Sequence, residues 1–223
     1  MGKLFILSER LNSFSDNFLI LNENQTGFRH GYSTIDNIFT LYSFFEVLKV
    51  KEIKLYCAFI DFEKAFDNVW RTGLWQKCIH NNINGNICDV IRNMYKNIKS
   101  NIIFNKNISE YFPCEMGVTQ GENLSPFLFA LFLNDVEDYL SRHDVLGLHT
   151  ISDVLEDELN LLMRIFILLY AEDSALMAET PKDLQKQLYH FYQYCESWRL
   201  KVNVNKTKIL CFTNGSKQFT IFL

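Results

Sequence analysis

Hydrophobic residues recur at three- and four-residue steps in four parts of the chain, and each part predicts a helix with one buried face. The predicted helices cover residues 34–49, 87–98, 125 to about 140 and 184–198. Ser33, followed by Asp36, suits a capping box at the start of the first helix. Ser125 as N-cap and Pro126 as first helical residue suit the start of the third. Local chemistry and periodicity therefore agree on where these two helices begin.

Runs of strand-forming residues lie between and after these helices. They predict β-strands over residues 54–61, 163–170, 174–178, 208–213 and 219–223. Only Ala171, Glu172 and Asp173 separate the second strand from the third, so these two strands predict a hairpin. The mixed order of elements favours an α+β domain in which helices cover one face of an antiparallel sheet.

The 223 residues are 48% hydrophobic and 15% aromatic, which suits a buried core and excludes a disordered tail. Six scattered cysteines lack the spacing of a zinc site or a disulfide framework, so we expect buried thiols and no disulfide-linked partner. The N-terminus lacks the apolar stretch of a signal peptide, and the longest apolar run, residues 165–171, is too short to cross a bilayer. We expect an intracellular protein, cytoplasmic or nuclear, that is not secreted and has no membrane partner.

The formal net charge of −4 does not by itself indicate a protein that handles nucleic acid. The charges are unevenly distributed, however. Acidic residues gather in residues 134–181, whereas residues 71–111 and 182–223 carry an excess of lysine and arginine. The two basic segments are compatible with contact to nucleic acid, so the total charge is a poor argument against it.

Three carboxylates occupy positions that a fold normally avoids. Asp61 ends a hydrophobic strand, and Glu172 and Asp173 lie at the tip of a hydrophobic hairpin. A partly buried carboxylate needs a basic partner or a cation. If the strands are neighbours, the three acids converge, and two Mg²⁺ ions roughly 3.5–4 Å apart would suit in-line phosphoryl transfer. The alternative is that these are solvated acids in turns, which are common.

Five stretches match successive motifs of one protein family, in the family's order. They are NQTGFRHGYST at 24–34, FIDFEKAFD at 59–67, GVTQGENLSP at 117–126, YAED at 170–173 and NVNKTK at 203–208. Together they resemble the reverse transcriptase (RNA-directed DNA polymerase) domain of LINE-type non-LTR retrotransposons. The resemblance spans most of the chain and implies a nucleotidyltransferase that copies an RNA template by extending a DNA primer with dNTPs.

The resemblance also implies an architecture. It is that of a right-hand polymerase palm with partial fingers and a missing thumb, within a single domain over residues 1–223. The fingers and the fingers–palm helices would cover about 1–55 and 70–115, and the palm about 56–69 and 116–223.

Four residues would carry the chemistry if the resemblance holds. Asp61, Glu172 and Asp173 would be catalytic metal ligands for two Mg²⁺ ions, with Mn²⁺ as a substitute. Lys206 would act as a general acid that protonates the departing pyrophosphate, the alternative being a surface lysine.

The resemblance places six further residues around the incoming nucleotide, namely Phe62, Ala65, Phe66, Gln120, Gly121 and Arg29. Phe66 would exclude a 2′-hydroxyl, and its alternative role is core packing. Ala65 would stack beneath the sugar and triphosphate. Gln120 and Gly121 would cradle the templating pair, although the same residues suit an ordinary loop before a capped helix. Arg29 would lie near the phosphates, the alternative being a solvated arginine.

Two features depart from the family's pattern. Glu172 stands where the family usually has aspartate, and its extra methylene displaces the carboxylate. In the third motif, Thr119, Glu122 and Asn123 replace a basic residue, aspartate and proline. These departures and the missing thumb predict that activity is low or lost.

Two alternatives compete with a polymerase. A non-catalytic retroelement remnant would bind RNA or protein, and its RNA binding would survive replacement of Asp61. A different two-metal enzyme on a similar sheet, such as a nucleotidyl cyclase, shares the acids but gives no reason for the Gln120 loop or the Lys206 motif.

Overall fold

The fold is built on a four-stranded antiparallel sheet. The computed structural model describes residues 2–145, 147–148 and 167–213. Its strands are β1 (Leu55–Ile60), β2 (Lys99–Ser100), β3 (Ile103–Phe104), β4 (Asn107–Ile108), β5 (Phe112–Pro113), β6 (Ile167–Tyr170), β7 (Asp173–Ala178) and β8 (Lys208–Phe212). Its helices are α1 (Gly2–Asn17), α2 (Thr34–Val50), α3 (Arg71–His80), α4 (Gly85–Tyr95), α5 (Ser125–Leu133), α6 (Val136–Ser141) and α7 (Pro181–Ser197).

The order of strands in the main sheet is β6-β7-β1-β8. Ile60 of β1 pairs with Ser174 of β7, and Phe59 pairs with Lys208 of β8. This register brings the residue that follows β1, Asp61, next to the start of β7. The predicted hairpin and the predicted strand that ends on an acid are thus confirmed as sheet neighbours.

Helices cover both faces of this sheet. Alternate residues of β1 point to opposite faces, so Ala58 and Ile60 join the larger core with α3, α4, α5 and α7. Leu55 and Cys57 instead pack with Phe44 and Leu48 of α2 in a second, smaller core. The prediction that helices cover only one face is therefore corrected, because α2 buries the other face.

The helix predicted over residues 125 to about 140 is two helices. The side chain of Asn134, between α5 and α6, accepts from the Asn22 N–H at 2.8 Å and donates to the Ile20 carbonyl at 2.7 Å. Ser125 lies inside the first turn of α5 rather than at its N-cap, and its hydroxyl donates to the Thr119 carbonyl at 2.5 Å. The polar contacts of Asn134 explain why the helix is interrupted there.

A buried polar cluster joins α3 to α7 beside this interruption. Lys77 is only 3% exposed and forms an ion pair with Asp135. The hydroxyl of Tyr194 donates to Asp135 Oδ1 at 2.7 Å, and Lys77 Nζ lies 3.7 Å from the ring centre of Trp198. Burial lowers the pKa of Lys77, although Asp135 opposes that shift.

The structure confirms some of the other predicted helices and strands and adds elements that were not predicted. The helices predicted over 34–49, 87–98 and 184–198 are α2, α4 and α7, and the predicted capping box of α2 is present. Helices α1 and α3 and the short strands β2 to β5 were not predicted. Residues 163–166 of one predicted strand and the predicted strand over 219–223 lie outside the described residues. Within the described part of the chain, none of the helices combines the length and apolar character needed to cross a membrane.

Candidate active site

Asp61 and Asp173 lie side by side at one end of the main sheet. The register of β1 and β7 makes them neighbours. Partial burial raises the pKa of Asp173 above its ordinary value, and the negative charge of Asp61 raises it further. Oδ2 of Asp61 is buried and accepts no hydrogen bond, and Lys206 Nζ lies 3.7 Å from it. An orphaned carboxylate oxygen beside a second carboxylate is a site that a cation would stabilise.

The turn that carries Lys206 is bound directly to the backbone of Asp61. The Asn203 N–H donates to the Asp61 carbonyl at 2.7 Å, and the Asp61 N–H donates to Thr207 Oγ1 at 3.4 Å. The Thr207 N–H donates to the Asn203 carbonyl at 2.9 Å and closes the turn. These bonds hold the turn with Lys206 next to Asp61, with the lysine side chain 70% exposed, and its role as a general acid stays a prediction.

Glu172 faces a separate cavity. Tyr170 pairs with Asp173, so Ala171 and Glu172 form the hairpin turn. The side chain of Glu172 lines a cavity of about 680 Å³ together with Phe66, Gln120 and Gly121. The described residues contain no group of three histidine, cysteine or acidic side chains placed to hold one metal ion. Asp61 and Asp173 are therefore adjacent, whereas Glu172 lines the neighbouring cavity, so the predicted convergence of all three acids is not found among the described residues.

The aromatic residues of the first acid motif differ in their accessibility. Phe66 stacks on Phe129 with ring centres 5.0 Å apart and also lines the cavity. Phe62 is 5% exposed and packs between Phe129 and Phe191 in the core. The ring of Phe62 is thus in the core, and contact of Phe62 with a nucleotide stays a prediction. Ala65 is also buried.

The loop that carries Gln120 and Gly121 is bonded to the segment that carries Phe66. The Val118 N–H donates to the Phe66 carbonyl at 2.8 Å, and the Gly117 N–H donates to the Val69 carbonyl at 2.9 Å. Gly117 has φ +82°, and a Cβ there would lie 2.5 Å from the Asp67 carbonyl oxygen. Only glycine suits both the conformation and the close approach.

Arg71 reinforces this contact, a role that sequence reasoning missed. Its guanidinium donates to the carbonyls of Tyr95, Cys114, Met116 and Gly117 at 2.7 to 3.0 Å. One side chain therefore ties α3 to the end of α4 and to the loop before Gln120.

Arg29 holds its own loop together. Its guanidinium donates to the carbonyls of Asn22 and Gln25 at 3.1 and 3.2 Å and pairs with Glu23. It also stacks on Tyr32 at 4.3 Å. None of its contacts in the described part of the chain involves Asp61, Glu172 or Asp173, so phosphate binding by Arg29 stays a prediction.

Helix α1 contributes a wall of the cavity that the sequence did not reveal. Ser8, Glu9 and Asn12 line it together with the Gln120 loop. The Ser8 hydroxyl donates to the Asn123 carbonyl at 3.1 Å, which attaches α1 to that loop.

Residues 5–222 match the profile of the family described as reverse transcriptase (RNA-dependent DNA polymerase). The chain belongs to this family. The match covers nearly the whole chain, so the family resemblance drawn from the five motifs is confirmed.

Curated relatives of the chain come from retrotransposons. It is 29% identical over 216 residues to the probable RNA-directed DNA polymerase from transposon BS of Drosophila melanogaster, covering 93% of this chain. It is 25% identical over 224 residues to the RNA-directed DNA polymerase from mobile element jockey of the same organism, covering 96% of this chain. The chain spans 22% of the length of each of these relatives.

Solved structures with the same fold include telomerases. Apo telomerase from Candida tropicalis, truncated from the C-terminal domain, superimposes with a TM-score of 0.62 at 15% identity, over 97% of this chain and 41% of that one. Telomerase from Candida albicans in complex with a fragment of telomeric RNA gives 0.59 at 14% identity, over 98% and 35%. The reverse transcriptase chain thus has an α+β polymerase-like fold.

Proposed function

We propose that this reverse transcriptase chain extends a DNA primer along an RNA template by transferring nucleotides from dNTPs. The observation that carries the proposal is the adjacency of Asp61 and Asp173, with Oδ2 of Asp61 buried without a hydrogen bond and in an ion pair with Lys206 Nζ at 3.7 Å. A solvated pair of turn acids would not leave a buried carboxylate oxygen without a hydrogen bond.

The donor set suits divalent metal. Asp61 and Asp173 would hold Mg²⁺, or Mn²⁺ as a substitute, and Glu172 would supply a further carboxylate from the adjoining turn. The two-metal mechanism belongs to this proposal. When bound, such ions activate the primer hydroxyl and neutralise charge on the triphosphate.

The chain's own residues would bind and orient the substrates. Phe66 forms a cavity wall where a 2′-hydroxyl would collide, and the Gln120 and Gly121 backbone lines the same cavity. Lys206 carries a proton close to Asp61 and would give it to the departing pyrophosphate. In this assignment the main sheet is the palm, and residues about 1–55 and 70–115 are the fingers and fingers–palm helices.

Glu172 is the feature that would limit the rate. Its carboxylate is one methylene farther from the backbone than that of aspartate, and a displacement of about 1 Å can cost on the order of 10²-fold in rate. We therefore expect native incorporation to be slow, or lost with Mg²⁺.

Primer extension tests the proposal. The native chain is incubated with an RNA template, a labelled DNA primer and dNTPs, in Mg²⁺ or in Mn²⁺, beside Asp61→Asn and the control Glu63→Gln. Glu63 is exposed two residues from Asp61, so its variant should behave as the native chain. We expect slow incorporation that Asp61→Asn abolishes.

The non-catalytic alternative makes a different prediction. No incorporation by the native chain with either metal, together with salt-sensitive RNA binding that Asp61→Ala leaves intact, would reject the polymerase and favour an RNA-binding remnant.

A further inference from the structure

Gln25 is a fully buried polar residue that the proposed mechanism does not use. It is 0% exposed and lies in the loop between α1 and α2. It forms a parallel bridge with Leu169, near the end of the edge strand β6. The Thr26 N–H donates to the Leu169 carbonyl at 3.0 Å, and the Leu169 N–H donates to the Asn24 carbonyl at 2.9 Å. The loop thus runs along the strand that leads into the Glu172 turn.

The side-chain amide of Gln25 reaches past the end of that strand to the turn itself. Its Oε1 accepts from the Ala171 N–H and from the Gly27 N–H, each at 3.0 Å. Its Nε2 donates to the Ala171 carbonyl at 3.5 Å. Both peptide groups of Ala171 are therefore bound by one side chain that is 146 residues away in sequence.

The turn needs such support from outside. Ala171 has φ +55°, a left-handed conformation that costs a residue with a Cβ roughly 1–2 kcal/mol. Tight hairpins usually place glycine, asparagine or aspartate at such positions, whereas this hairpin has Ala171 followed by Glu172. A strained conformation persists where the surroundings over-determine it.

Close packing adds to the hydrogen bonds. A Cβ added to Gly27 would collide with the backbone N of Ala171 and lie 2.8 Å from the carbonyl carbon of Tyr170. The loop therefore rests on the turn backbone, with only hydrogen at Gly27 between them.

We propose that Gln25 is a positioning residue that sets the geometry of the Ala171-Glu172 turn and so the places of the Glu172 and Asp173 carboxylates. The catalytic meaning of this inference rests on the proposed function. The hold of Gln25 on the turn can be measured without any catalytic activity. Gln25 links the loop before α2 to the acid hairpin. The geometry of the hairpin therefore depends on that loop, which neither motif reveals alone.

The test compares two buried glutamines. Gln25→Met keeps side-chain length and removes every bond to the turn. Gln187→Met is the matched control, because Gln187 is also 0% exposed and its amide donates to the Met177 carbonyl of β7 at 2.7 Å, away from the turn. Gln25→Glu puts a carboxylate oxygen in place of Nε2, facing the Ala171 carbonyl, and serves if Gln25→Met does not fold. Amide hydrogen exchange of Ala171 and Glu172, and Mn²⁺ affinity by electron paramagnetic resonance, are measured on all chains.

We expect Gln25→Met to exchange the Ala171 amide at least about tenfold faster and to weaken Mn²⁺ binding about tenfold, with Gln25→Glu changed in the same direction and Gln187→Met unchanged in both. Unchanged Mn²⁺ affinity in Gln25→Met, despite faster exchange, would overturn the positioning role. If the native chain binds no Mn²⁺, or if Asp61→Asn does not reduce the binding, the proposed function is wrong and the positioning role is not yet decided. Amide exchange of Ala171 and Glu172 then tests by itself whether Gln25 holds the turn. Exchange at the native rate in Gln25→Met would reject that role.

Discussion

Lys206 Nζ lies 3.7 Å from Asp61 Oδ2, in a turn whose backbone is bonded to the backbone of Asp61. The ammonium group therefore lies within ion-pair distance of one of the two neighbouring carboxylates. Because the lysine side chain is long and mostly exposed, it can leave Asp61 without disturbing the sheet.

Replacing Lys206 should affect catalysis much more than folding. Lys206→Met removes the proton donor, and we expect kcat to fall on the order of 10²-fold with little change in KM. The exposed ion pair contributes less than about 1 kcal/mol, so urea unfolding should be almost unchanged. Lys208→Met is the control, because Lys208 is also exposed and its ammonium group donates to the Asn205 carbonyl at 2.9 Å. Equal effects of the two variants on kcat would show that Lys206 acts only through charge.

Shortening Glu172 should increase activity. Glu172→Asp restores the carboxylate position that the family uses, and we expect Mg²⁺-dependent incorporation to rise by up to about 10²-fold in single-turnover primer extension. Glu122→Asp shortens another carboxylate on the same cavity wall and should leave the rate unchanged. Should Glu172→Asp incorporate no faster than the native chain, the extra methylene is not what slows it.

Asp173→Asn should stabilise the metal-free chain at neutral pH. The pKa of Asp173 is raised by burial and by Asp61, so the folded state binds the proton more tightly than the unfolded state. Stability linked to this group is therefore present below the unfolded pKa of about 3.9 and is lost as pH rises through the folded value.

Removing the charge of Asp173 should raise the free energy of unfolding by only a few tenths of a kcal/mol at pH 7, since solvent screens the group. The gain should disappear near pH 3, and Mg²⁺ should stabilise the native chain but not the variant. Urea unfolding at pH 3 and pH 7, with and without Mg²⁺, measures both effects. A gain of equal size at both pH values would mean that charge repulsion is not its cause.

Gly27→Ala should destabilise the fold through the acid hairpin. The added methyl group collides with the Ala171 backbone, and such overpacking typically costs about 1–3 kcal/mol. Gly31→Ala is the control: Gly31 has φ +84° but open space around it, so we expect only the strain of about 1–2 kcal/mol. Urea unfolding compares the two, and faster exchange at Ala171 should accompany Gly27→Ala alone.

The sequence predicted those elements whose buried faces are mostly apolar. β1, β7 and α2 were found because their packed residues follow a strand or helix period. α3 was missed because its buried face includes Lys77, a lysine that only Asp135, Tyr194 and Trp198 make tolerable. α1 was missed for a similar reason, since Ser8 and Ser15 are buried on its packed side. The strands β2 to β5 have two residues each, too few for alternation to show.

The residues of the candidate site also differ in how well the sequence predicted them. Asp61 and Asp173 were predictable because a carboxylate at the end of an apolar strand is conspicuous in a sequence. Gln25 was not, because its role depends on a turn 146 residues away and its neighbourhood looks like an ordinary polar loop. The core packing of the Phe62 ring was not predictable either, because the motif records that an aromatic is present, not which way its ring points.

The four carbonyl bonds of Arg71 also bear on how the cavity can change shape. Through them, and through the Val118 bond to Phe66, the wall with Phe66 and the wall with Gln120 are braced to each other and to α3 and α4. The wall formed by α1 is joined to the Gln120 loop by the hydroxyl of Ser8. Widening of the cavity to admit a template–primer duplex should therefore proceed by outward displacement of α1, while the braced side stays in register with the acids.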